Sequence, residues 1–161
     1  MKNSKIKPFI LFIFGLILGA LARVFNLYTQ NIGNIFSEIA IWILLGTLIS
    51  IYSATKKQAM INVFVFCLGM LLAYYFIACI TDGIFSKTYI FYWFLFSLLS
   101  PFMAYFTWMT KEPGIFSKII SIGIVSTSIL STIVLFDKLR IYDYIINTIL
   151  IYFLFFKKIK R

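Results

Sequence analysis

Few side chains in this sequence can do chemistry, and they sit at intervals along long apolar runs. In "FGLILGALARVFN", Gly15, Gly19 and Arg23 recur four apart, so on a helix a stripe of small residues closes on a permanent cation. Asp143 and Asn147 stand one helical turn apart near the start of the last apolar run, and Glu38 and Asp82 each stand at the edge of another. Trp93 shares a helical face with Ser97, Ser100, Ala104 and Trp108, a groove of small residues between two indoles. Such groups can hold a polar solute: a guanidinium and carboxylates for its charges, an amide for its hydrogen bonds, an indole for its apolar body. Arg23, Glu38, Asp82, Asp143, Asn147 and Trp93 are therefore the candidate ligand-binding residues.

The same residues give little scope for catalysis. With no histidine there is no imidazole base and no histidine-based metal site. No nucleophile elbow, phosphate loop or zinc-protease motif occurs, and the sequence implies no cofactor and no metal. "IYDY" around Asp143 is similar to the tyrosine-aspartate half of intramembrane aspartyl proteases, but the glycine-bearing second motif is missing. The expectation is a protein that is not an enzyme. Cys67 and Cys79, twelve residues apart within one run, are too distant to bond and read as small apolar residues.

The elements that position these residues follow from composition. Of 161 residues 62% are apolar, 20% aromatic and only 12% charged, far from the balance of a soluble domain. Runs such as "IFYWFLFSLLSPFMAYF" lack the alternation of barrel strands, so the expectation is an all-α integral membrane protein. Six spans are predicted, at approximately 8–26, 36–54, 59–80, 88–109, 115–136 and 141–156, packed as one compact domain over 1–161. Short connections predict that consecutive spans are antiparallel neighbours. Pro101 kinks or locally frees the backbone of the fourth span, and the many hydroxyls of the fifth can bond to their own helix.

Charge sets the expected orientation. Lys2, Lys5, Lys7, Lys56, Lys57, Lys111, Lys118, Lys157, Lys158, Lys160 and Arg161 fall on one side, and Arg23, Lys87, Lys138 and Arg140 on the other. The positive-inside bias then places both termini in the cytoplasm. Glu112 is the sole acid on the basic side, so the whole net charge of +10 lies on that rim while the other is balanced. That rim reads as topology and attraction to anionic lipid rather than nucleic-acid binding. Ala20-Leu21-Ala22 fits a signal-peptidase site, but five further spans need no removable signal, and the first span is expected to be retained.

Two pairings are expected around Arg23. Its long side chain can reach the polar layer, and Glu38 opens the next span at similar depth, so an ion pair there would fix the first hairpin. The stripe of Gly15 and Gly19 lets another backbone approach closely. Contact with a neighbouring span is the leading reading; docking of another membrane protein is the alternative.

"GALAR" together with "INVFVFCLGMLLAYYF" resembles small multi-pass bacterial membrane proteins of uncharacterised families. In outline the chain also resembles the substrate-binding subunits of energy-coupling-factor vitamin transporters, in length, six helices, termini inside and small residues spaced four apart in the first span. The resemblance implies a cell-membrane protein of a bacterium that takes a solute from outside, with Gly15 and Gly19 at docking positions where that family shows alanine. It assigns no ligand. A non-transporting accessory or immunity-type protein, acting through helix contacts, is the alternative.

Overall fold

The computed structural model describes residues 7–28, 39–81 and 87–159, the side chains of Lys87 and Tyr89 excepted. Every regular element among them is helical: α1 (Pro8–Tyr28), α2 (Ile39–Tyr52), α3 (Lys56–Ile80), α4 (Lys87–Met109), α5 (Ile115–Phe136) and α6 (Ile141–Ile151), the last prolonged by one π turn, Tyr152–Phe156. Local chemistry sets several bounds. The Thr55 hydroxyl accepts from the Gln58 backbone N–H at 3.1 Å and starts α3. Asp137, at φ 57°, ends α5 in the left-handed region. Four helices, α1, α3, α4 and α5, are long and apolar enough to cross a membrane; α2 and α6 are shorter.

The main departure from expectation is the partner of α1. It lies along α3, two helices on in the chain, and makes no comparable contact with α2. Glycine geometry explains the choice. A β-carbon at Gly15 would collide with the Phe66 carbonyl oxygen, one at Gly19 with that of Met70, and one at Gly69 with that of Phe12. Three glycines from two helices thus interlock, and the backbones touch where side chains would hold them apart. Gly15 and Gly19 are buried, and the stripe is filled from within the chain by α3. The order of contacts, Gly15 beside Phe66 and Arg23 beside Tyr74, makes α1 and α3 parallel.

Two apolar cores result. Leu11 of α1, Val63 and Phe66 of α3, Ala104 of α4 and Ile49 of α2 form one. Ala40 and Leu44 of α2 with Ile146, Leu150 and Leu154 of the last helix form the other, backed by Ile124 and Val125 of α5. The helix α2 belongs to both. Its lower end is pinned beside α3 and α4 at one residue: the Asn62 amide donates to the Ser53 hydroxyl at 2.9 Å, and the Trp108 indole donates to the Ser53 carbonyl at 2.9 Å. Lys56 pairs with Glu112 at 2.9 Å beside this node and lies over the rings of Tyr105 and Trp108.

Candidate functional site

Between the two cores lies a cavity of about 860 Å³, walled by α1 to α5. It extends from Arg23, Tyr74 and Trp93 at one end towards Ser50, Ala104 and Thr107 near the Lys56 end. The sequence explains why the space is open. Gly46 of α2 and Gly123 of α5 face it, and a β-carbon added to either would meet nothing within 4 Å. Small residues on α4, namely Ser97, Ser100 and Ala104, hold back the third side.

Most hydroxyls in the wall are already committed as donors. Ser50 donates to the Gly46 carbonyl, Thr107 to that of Met103 and Thr127 to that of Gly123, all between 2.7 and 2.9 Å. Pro101 has no N–H for the Ser97 carbonyl, and the Ser100 hydroxyl donates there instead at 2.7 Å. Each therefore turns oxygen lone pairs, rather than a free proton, toward the cavity.

Among the described residues, Arg23 is the only charged one in the wall. It is 9% exposed, its guanidinium stands 5.8 Å from the centre of the Tyr74 ring, and its buried Nε has no hydrogen-bond partner among the described residues. Tyr74 is held in turn by Asn26, whose amide donates to its hydroxyl at 3.3 Å. Arg23 is thus fixed by the α1–α3 contact with a strong donor left over.

The candidate residues divide accordingly. Arg23 and Trp93 share this cavity. Asp143 and Asn147 line no part of it: Asp143 is fully buried at the start of α6, where its Oδ2 accepts from the Arg140 backbone N–H at 2.7 Å. The Asn147 amide donates to the Asp143 carbonyl at 2.8 Å. Arg140 completes the cap, its guanidinium 3.5 Å from the Phe136 ring centre and 4.6 Å from that of Tyr142. The pair organises the turn between α5 and α6. Glu38 and Asp82 lie outside the described residues, and with Glu38 the expected pair to Arg23. Among the described residues no group of acids, cysteines or histidines is placed to hold a metal ion.

The groove of Ser97, Ser100 and Ala104 beside Trp93 was legible in the sequence and lines the cavity; most of the remaining wall was not. Tyr75, Trp42, Thr47 and Cys67 come from four positions on two helices and carry no common spacing. The one available signal was glycine at 46 and 123 within otherwise bulky helices. Comparison with known proteins returns no matching family model, no matching curated protein and no matching solved structure.

Proposed function

We propose that this protein is a multi-pass protein of the cell membrane that binds a small solute in the cavity between its two cores, as a binding or transport component without enzymatic activity. The cavity is the observation that carries the reading: a space of about 860 Å³ in a 161-residue chain is of ligand size, and its wall mixes aromatic rings with a buried, underused guanidinium.

The membrane setting rests on an inverted distribution of side chains. Phe102, Val134 and Ile141 are exposed while Asn62, Ser128 and Asp143 are fully buried, the reverse of a water-soluble fold. Lys7, Lys56, Lys111 and Lys157 gather at one end of the bundle, and the positive-inside bias makes that end cytoplasmic. Arg23 then marks the outward end. The outline agrees with the resemblance to energy-coupling-factor binding subunits, but coupling to another subunit would need a face other than Gly15 and Gly19.

Cys67 is a native reporter of the cavity. In cells carrying the full chain with Cys79→Ser, a membrane-impermeant methanethiosulfonate added outside should modify Cys67, and Gly46→Trp should block the reaction. Failure to modify Cys67 in folded protein would overturn the reading and leave the accessory role.

A further inference from the structure

The chemistry of the wall names a class of solute. We propose that the cavity takes a compact organic monocarboxylate with an apolar, unsaturated body, its carboxylate on Arg23 and its body between the α2, α3 and α4 walls. This rests on the reading of the cavity as a solute site.

Three observations converge on it. Among the described residues, Arg23 contributes a cation with no carboxylate beside it in the wall, and its buried Nε has no acceptor. A guanidinium so placed is completed by a planar carboxylate, which accepts from two of its N–H groups at once. One cation matches one negative charge, and a dianion would bring an uncompensated charge against a mostly apolar wall. Away from Arg23 the hydroxyls of Ser50, Ser97, Ser100, Thr107 and Thr127 are spent on their own helices, so the oxygens facing the cavity repel a second anionic group. That polarity confines the carboxylate to the Arg23 end. Trp42, Phe66, Tyr75, Trp93 and Phe96 supply flat faces for the remainder, which favours an unsaturated body.

The test uses three probes of one shape and different charge: 1-naphthoate, 1-naphthalenemethanol and 1-naphthylmethylammonium. Each is titrated by calorimetry into the full chain in lipid nanodiscs, with empty nanodiscs as the blank. The acid should bind about tenfold or more tightly than the alcohol, because a charged hydrogen-bond partner is lost with the latter, and the ammonium should bind most weakly. Arg23→Gln should bring acid and alcohol within about twofold of each other, and Gly46→Trp, at a position that faces open space, should abolish both by filling the cavity. The wild-type comparison of the three probes stands if Arg23→Gln does not fold. An alcohol that binds as tightly as the acid overturns the proposal while leaving a neutral-solute site intact. Absence of binding by all three overturns it as well, and unmodified Cys67 in the same preparation would show that the cavity reading has failed with it.

Discussion

The indole N–H of Trp108 donates to the carbonyl of Ser53 at 2.9 Å, joining the far end of α4 to the turn after α2 across 55 residues of chain. Ser53 receives Asn62 through its hydroxyl at the same point, and that hydroxyl donates to the Ile49 carbonyl at 2.7 Å. One residue therefore ties three helices at the end of the cavity opposite Arg23. Trp108→Phe keeps the ring and deletes the donor, and should lower stability in detergent by about 1 kcal/mol. Ser53→Ala should cost more, about 1–3 kcal/mol, because Asn62 is then buried without its acceptor. Thermal unfolding of the purified variants checks the order; equal melting temperatures for Ser53→Ala and wild type would refute the node.

The glycines divide into two groups with opposite expected responses. Gly19→Ala places a methyl group against the Met70 carbonyl, and with backbone on both sides nothing flexible can give way. It should destabilise the isolated protein by about 1–3 kcal/mol, as overpacking does. Gly46→Ala and Gly123→Ala meet open space, and removing glycine from a helix interior should leave stability unchanged or raise it by up to about 1 kcal/mol. Parallel melting curves for the three variants test the α1–α3 contact without reference to any partner.

How far the sequence carried the fold depends on the range of the interaction. Apolar run length is local, so six helices were legible, and α4, α5 and α6 fall on the expected residues. The start of α3 lies earlier than expected because Thr55 caps it, a contact over three residues that "TKKQ" displays. Pairing of α1 with α3 was not legible, since chain proximity favoured α2, and Gly69 acquires its meaning only when Phe12 is known to face it. In the site, Arg23 and Trp93 stood out as polar or amphipathic groups within apolar runs. Asp143 stood out for the same reason, yet its carboxylate serves its own helix start. Residue type shows that a polar group needs a partner, and only packing decides which.

Lys111 has an assignable structural role. Its Nζ donates to the carbonyls of Phe153, Leu154 at 2.8 Å and Lys157 at 2.9 Å, the oxygens left open where the last helix ends in a π turn. Lys111→Met keeps the aliphatic stem and removes the donor. Amide hydrogen exchange over 152–157 should accelerate by about tenfold or more on the loss of such a charged hydrogen bond, with exchange in α1 unchanged. Unchanged protection at 152–157 would show that the π turn stands without the lysine.

Orientation gives the broadest prediction, because every statement about which end of the cavity meets the outside depends on it. By sequence, eleven of the fifteen cations precede, follow or join the spans on the side of Lys56, against four on the side of Arg23. A cationic flank is costly to move across the bilayer, so the positive-inside bias predicts the richer side in the cytoplasm. The Lys56–Glu112 pair and the Lys111 contacts to the last helix bring the α2–α3 turn, the α4–α5 turn and the C-terminal end together, so these three segments must share a side. Alkaline phosphatase fused after Lys87 or after Arg140 should be active, and fused after Lys57 or at the C-terminus inactive. The reverse pattern would turn Arg23 to the cytoplasm and make the cavity inward-facing. A mixed pattern, with Lys57 and the C-terminus on different sides, would contradict the Lys56–Glu112 ion pair and the hydrogen bonds of Lys111, and therefore the packing of the α4–α5 turn against the last helix.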